Sequence, residues 1–294
     1  KPRVLPVAAM LLVAVDLESV HWQREFTPQD PLDQARWERL AGYLREQATE
    51  PARVRTARDQ LLPANQAALL GVPIVSGDNP MVAARVNRLL FAGDEWRVWQ
   101  LWNVGFYLAD KPVESQATRL LTVLDGVYVH AVAYTLPRAW AVRSATLAPT
   151  ADAALTRVLQ ADFRPEVEAV LDGTSEAPPL APGPTPNVQV SLASPQRLEA
   201  TVRSDGPALL VVSQPHVPGW QATINGRPAT ILHADYALQA VAVPDGDSQV
   251  VLEYRPRSLL LGAGITGLTL LLVAVGLSPF GSRQASRLLS ARNA

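Results

Sequence analysis

Between Ser258 and Ser282 the chain carries no charged side chain. The apolar core of this run, Leu259–Phe280, is about 22 residues long, which as α-helix spans about 33 Å, enough to cross the hydrocarbon of a bilayer. A helix buried in a soluble domain is shorter and keeps a polar stripe. Residues 258–280 are therefore expected to form a transmembrane helix, and whatever precedes them must fold as something that can end on one. Arg283, Arg287 and Arg292 follow without an acidic residue, so 281–294 reads as a basic cytoplasmic tail. Arg255 and Arg257 on the other flank weaken that vote, while Lys1 and Arg3 agree that both termini lie inside. Residues Glu18 to Tyr254 are then expected outside the membrane.

Gly262-Ala-Gly-Ile-Thr-Gly267 within the run matches G-x-G-x-x-G. A dinucleotide site also needs a second strand and an acidic residue about 20 positions later. No Asp or Glu follows Glu253. Small residues at this spacing fit close packing of a neighbouring membrane helix better.

Upstream, the apolar run Val4–Val15 is about 12 residues, too short to span alone. Taken by itself it is open to three readings: a signal peptide, the end of a membrane helix, or a buried segment. Pro31–Glu50 has Leu32, Ala35, Leu40, Tyr43 and Leu44 at helical spacing. Arg53–Thr56 reads as a strand, Leu61–Ser76 as a short helix stopped at Gly71, Gly77–Pro80 as a turn and Met81–Phe91 as a helix. A strand is expected around Asn103–Leu108. Ala117–Leu124 and Val127–Ala133 flank Asp125-Gly126, a strong hairpin signal. Pro137–Val142 reads as another strand, Thr150–Gln160 as a helix capped by Thr150, and Glu166–Leu171 as a short strand. The Pro-rich stretch from Asp172 to Pro186 has no periodicity and reads as a linker.

After it the pattern changes to short alternating strands: Val188–Ala193, Arg197–Arg203, Ala208–Ser213, Trp220–Ile224, Pro228–His233, Ala237–Val243 and Ser248–Tyr254. Asp205-Gly206, Asn225-Gly226 and Asp245-Gly246 punctuate them. In Ala237–Val243 either Leu238, Ala240 and Ala242 or Ala237, Val241 and Val243 face inward. The expected fold is an α+β extracytoplasmic domain followed by an antiparallel β-sandwich (jelly-roll-like) module, flanked by transmembrane helices. The expected divisions are a partial membrane helix at 1–18, the mixed domain at 19–172, a linker at 173–186, the sandwich at 187–257, the membrane helix at 258–280 and the tail at 281–294.

The chemistry this chain can carry is bounded by what it lacks. It has no cysteine, which removes disulfides, thiolate metal sites and cysteine nucleophiles. Its four histidines are far apart, with no i, i+4 pair for a helical metal site. A net charge of -1 gives no footprint for nucleic acid. No carboxylate pair, Ser/His/Asp set or phosphate loop stands out, so no catalytic, metal or cofactor residue is expected.

Several stretches carry a family resemblance. Leu209–Pro228, with Ser213-Gln-Pro-His-Val-Pro-Gly-Trp220 and Asn225-Gly226, resembles the "PGW…DG" hairpin of the bacterial YfhO-like membrane proteins. Ala234–Gly246 and Val251–Pro256 resemble the family segments downstream of that hairpin. Upstream, Leu136–Ala139, Ala153–Leu155 with Asp162–Pro165, Asn103–Tyr107, and Asn65 with Gly77–Pro80 are similar to further family segments. Asn225 and Asn79 stand where the family usually has Asp, in both cases at turns. The resemblance implies a polytopic N-terminal region similar to GT-C glycosyltransferases that use polyprenyl-phosphate sugars. It also implies that their acidic catalytic residues lie in that region and not in this chain. It makes Val4–Val15 the tail of the penultimate membrane helix. Membrane lipid, a polyprenyl-linked sugar, an envelope glycan acceptor and that N-terminal membrane region are the partners it implies.

Four residues are candidate glycan contacts: His216 at a loop tip, Trp220 as a stacking platform, and Asp235 and Tyr236 as a polar patch. Each has a structural alternative. Trp220 suits a core anchor, His216 a solvated turn, and Asp235 an Asx-turn before a strand. Asp78 lies in a turn where Asp is common.

Overall fold

The computed structural model describes residues 12, 15–16, 31–48, 52–75, 82–93, 95–174 and 176–277. Most of the expected N-terminal membrane segment, the Gly77–Pro80 turn with Asp78, and the basic tail lie outside them. The described chain divides into two compact units, one of residues 1–49, 53–78 and 105–133, the other of 50–52, 79–104 and 134–294.

In the first unit, α1 (Pro31–Gln47) buries Trp37, Leu40, Ala41 and Leu44. That i, i+3, i+4, i+7 set is one helical face. It includes Trp37, absent from the expected apolar set, and leaves out Leu32, which is 78% exposed. A four-stranded sheet runs in the order β1 (Arg53–Thr56), β2 (Val104–Ala109), β4 (Val127–Val132), β3 (Thr118–Leu124). Asp125 and Gly126 join β3 to β4 with φ of 48° and 79°, the left-handed pair a type I′ turn requires. A short helix α2 (Ala64–Leu69), shorter than the expected Leu61–Ser76, is capped by Leu70, with Gly71 at φ +70° just beyond.

In the second unit α3 (Ala84–Leu90) and α4 (Glu95–Leu101) precede two sheets. The six-stranded sheet is ordered β5 (Ala139–Val142), β10 (Ala208–Pro215), β14 (Leu238–Val243), β13 (Leu232–Ala234), β7 (Glu168–Asp172), β6 (Ser144–Leu147). All its pairings are antiparallel except β6 with β7. Between β6 and β7 lies α5 (Ala151–Val158), the helix of a parallel crossover. Thr150 caps it, its hydroxyl oxygen accepting from the Ala153 N–H at 3.1 Å. Thr150→Ala is expected to cost about 1 kcal/mol of stability, read as a shift of the urea midpoint.

The five-stranded sheet is ordered β12 (Arg227–Ala229), β11 (Trp220–Ile224), β15 (Gly246–Tyr254), β9 (Arg197–Ser204), β8 (Asn187–Ala193). Both sheets contribute to one apolar core. Ala139, Leu210, Val212, Val241 and Val243 come from the first, and Leu198, Ala200, Val202, Val250 and Leu252 from the second. Alternation along β9 and β15 places one face on that core and one outward. In β10 and along most of β14 both faces are covered, so Leu209, Val211, Leu238 and Ala240 are buried as well. Val241 and Val243 enter the shared core, and Leu238 and Ala240 are buried on the other side, where only Ala242 at the end of the strand is exposed.

Two expectations change here. The stretch 173–186, expected as a linker between modules, joins parts of one unit. Strands on both sides of it share a sheet, with β7 paired to β13 and β5 to β10. The chain passes through 173–186 from one sheet to the other of the same unit. Pro228–His233, expected as one strand, divides: β12 pairs with β11 in one sheet and β13 with β14 in the other.

Residues Arg257–Leu277 form α6, a helix of 21 residues, about 32 Å long. Leu259, Leu260 and Leu261 at its start are 69%, 75% and 68% exposed. The helix is long and apolar enough to cross a membrane.

Candidate functional site

The loop Pro218-Gly219-Trp220 is built against the junction of β15 and α6. Trp220 stands opposite Tyr254 in the β11–β15 register, and their ring centroids are 5.6 Å apart. The Arg255 N–H donates to the Gly219 carbonyl at 2.7 Å. Gly219 has φ +111°, and a Cβ there would lie 2.8 Å from Tyr254 Cε2 and 3.2 Å from Pro256 Cα. Only glycine allows both the conformation and the approach. The motif that resembled a binding loop therefore also fixes how the apolar helix leaves the sheet.

Trp220 is half-buried and stands between two cavities. One, of about 480 Å³, is lined by His216, Trp220, Gln221, Thr223, Gln239 and Arg257 among others. The second, of about 400 Å³, shares Trp220, Gln221 and Arg257 and adds Arg255, Pro256 and Ser258. An open recess that sets an aromatic wall beside a few polar groups can take a small polar molecule.

Gln239 has no exposed surface. Its Nε2 donates to the Pro215 carbonyl at 2.7 Å, which orients the amide. Its Oε1 has no hydrogen-bond partner among the described residues. A buried amide oxygen left without a donor costs about 1–3 kcal/mol, so a group that donates to it is favoured in the cleft. The sequence carried one signal for this residue, a lone amide within the apolar strand Leu238–Val243. At the rim Arg255 pairs with Glu253 at 2.8 Å, whereas Arg257 has no carboxylate partner among the described residues.

His216 is held by its backbone N–H, which donates to the Ala237 carbonyl at 2.8 Å. Its ring stacks on His233, with centroids 3.5 Å apart and planes 27° from parallel. Behind the stack, Arg85 Nη1 lies 2.7 Å from Asp172 Oδ2, 3.4 Å from His233 Nδ1, and donates to the Tyr236 carbonyl at 3.0 Å. Burial lowers the His216 imidazole, and burial, the facing His216 and the Arg85 charge push His233 down to about 4. Both rings are neutral at pH 7, so His216 offers the cleft a neutral hydrogen-bonding edge.

The other two expected contacts are placed elsewhere. Asp235 is fully buried and Tyr236 is 3% exposed, and neither lines the cleft. Asp235, at φ +46°, ties β13 to β7: its N–H donates to the Val170 carbonyl and its Oδ1 accepts from the Val170 N–H, each at 2.8 Å. Burial pushes its carboxyl up to about 7. Tyr236, at φ +72°, presents its ring to the Arg85 guanidinium at 5.5 Å. Among the described residues no group of three or more metal-ligating side chains converges.

Residues 185–266 match the family model described as bacterial membrane protein YfhO. This segment is YfhO-like. It contains the Pro218–Trp220 loop, Gln239, Arg257 and the first half of α6, whereas the similar segments upstream of residue 185 lie outside the match. No curated protein and no solved structure matches the chain. The match of residues 185–266 to a membrane-protein family and the apolar helix at the root of the cleft both support membrane association.

Proposed function

We propose that this chain is the extracytoplasmic, saccharide-binding part of an integral-membrane glycosyltransferase-like protein that builds cell-envelope glycans. Its two facing sheets act as a β-sandwich tethered by α6. The observation that carries the reading is the cleft itself: an aromatic wall, Trp220, beside a buried amide acceptor, Gln239 Oε1, that lacks a donor. A sugar has both complements, an apolar C–H face for the indole and hydroxyls that donate to the amide oxygen. His216, Gln221 and Thr223 supply further polar edges. The resemblance supports sugar transfer from a polyprenyl-phosphate donor as the activity of the whole, with this chain supplying binding and not chemistry. Outside placement is supported by the arginines after the apolar run.

The test is binding of an N-acetylglucosamine tetrasaccharide, and of a wider glycan array, to the full chain in detergent. Trp220→Ala is expected to weaken binding about tenfold or more, since a well-placed aromatic contact is worth about 0.5–1.5 kcal/mol beyond the area it buries. Binding that is unchanged in this variant rejects the site. Turnover of a polyprenyl-phosphate sugar by this chain alone would overturn the division of labour.

A further inference from the structure

The saccharide reading accounts for the floor and wall of the cleft and leaves its rim cation without a role. Arg257 lines both cavities, is exposed, and pairs with no carboxylate among the described residues. The acidic groups nearby are engaged: Glu253 with Arg255 at 2.8 Å and Arg197 at 3.5 Å, and Glu199 with Arg197 at 2.6 Å. Arg257 is also the first residue of α6, where the positive end of the helix dipole adds to its charge. A cation placed there without a counter-charge raises the potential of the rim and favours an anion.

Depth decides which anion. The leucines of α6 begin two residues after Arg257, about 3 Å along the helix axis. If α6 spans the bilayer, the rim of the cleft lies at headgroup depth and its mouth faces lipid headgroups as well as water. The Trp220–Tyr254 pair at the same level is of the residue types that gather at that boundary. Gln239 Oε1, deeper in, asks for a hydroxyl or amine hydrogen.

Resting on the reading of this cleft as a binding site, we infer that it also takes the headgroup of an anionic, hydroxyl-bearing glycerophospholipid, which competes with saccharide for Trp220 and Gln239. The phosphate sits on Arg257, a headgroup hydroxyl donates to Gln239 Oε1, and Trp220 forms the wall between. A zwitterionic choline headgroup meets only part of this set: it has no hydroxyl to give Gln239, and its cation opposes Arg257.

The experiment uses the full chain in phosphatidylcholine nanodiscs, with the Trp220 indole N–H resonance as reporter, assigned by Trp220→Phe. The probes are dihexanoyl-phosphatidylglycerol, dihexanoyl-phosphatidylcholine, glycerol 1-phosphate and the N-acetylglucosamine tetrasaccharide. Saturable shifts are expected with the phosphatidylglycerol, with at least tenfold weaker response to the phosphatidylcholine and to glycerol 1-phosphate. Arg257→Gln, an exposed substitution that leaves the core intact, is expected to weaken phosphatidylglycerol about tenfold, in the range of a lost charged hydrogen bond. Equal binding of both lipids, or phosphatidylglycerol binding insensitive to Arg257→Gln, overturns the inference. Glycerol 1-phosphate binding as tightly as the lipid also overturns it, in favour of a soluble anion site. Tetrasaccharide binding without any phosphatidylglycerol binding removes the lipid assignment and keeps the saccharide one. Absence of both removes both.

Discussion

Asp235→Asn is expected to raise stability at pH 8 and to remove most of the loss the unaltered protein suffers as pH rises above 6. The carboxyl is wholly buried, and burial pushes it from 3.8 up to about 7. An acid whose folded pKa exceeds its unfolded one stabilises fully below the unfolded value, and that contribution is lost as pH rises through the folded value. The window is therefore about pH 4 to 7. Roughly three pH units at about 1.4 kcal/mol each put the loss on the order of 4 kcal/mol. Asn keeps the oxygen that accepts from the Val170 N–H and tolerates φ +46°, while the atom that lacked a partner, Oδ2, is replaced by an uncharged amide nitrogen. At pH 5, with Asp235 already protonated, the variant gains nothing. His216 and His233 act in the opposite window. Their folded pKa values are lowered, so stability falls as pH drops below their unfolded value of 6.5, for His233 down to about 4. The unaltered chain should thus be most stable near pH 6 and the variant should decline on the acid side alone. Urea midpoints at pH 5, 6.5 and 8 check this; parallel pH curves for the two proteins would refute it.

Gly219→Ala is expected to cost about 3 kcal/mol, while Gly226→Ala, at the other end of the same strand, costs about 1 kcal/mol. At Gly219 two penalties add. A side chain at φ +111° is strained by about 1–3 kcal/mol, and a Cβ at 2.8 Å from Tyr254 and 3.2 Å from the Pro256 backbone forces a shift worth about 1–3 kcal/mol. The second contact is the harder to relieve, because backbone cannot rotate away as a side chain can. Gly226 has φ +78° and no atom within 4 Å of an added methyl, so only the conformational penalty applies. Urea midpoints of the two variants decide it: equal costs would mean that the loop is not pressed against the strand–helix junction.

Local chemistry made much of this fold readable. Asn225-Gly226 and Asp125-Gly126 take the positive φ their residue types permit, and Trp220–Ile224 has the strand limits its pattern implies. The Thr150 cap was legible for the same reason. The features that escaped depend on partners distant in sequence. Glu95–Leu101 is helical although Trp96, Val98 and Trp99 favour strands locally; burial of Val98, Trp99 and Leu101 outweighs that propensity. In the site, His216 and Trp220 were visible because an exposed loop announces itself with Pro and Gly. Arg85, 148 residues from His233, had no local signal, nor did Asp172 as its ion-pair partner. Asp235 and Tyr236 look like surface groups in the sequence because Asp before a strand is ordinarily a turn residue. Their positive φ turns them inward instead, between β13 and β14.

The pairing of β7 with β13 and of β5 with β10 bears on where this protein can be divided. The segment that carries the family match, 185–266, contains the cleft and the first half of α6 but not β5, β6 or β7. Cut out alone it would uncover the hydrogen-bonding edges of β10 and β13 and take Ala139 and Ala141 from the shared core. Bare edges of that kind recruit other strands. Heredity and folding have therefore drawn different borders on this chain: the recognisable signature is shorter than the smallest piece able to hold its shape.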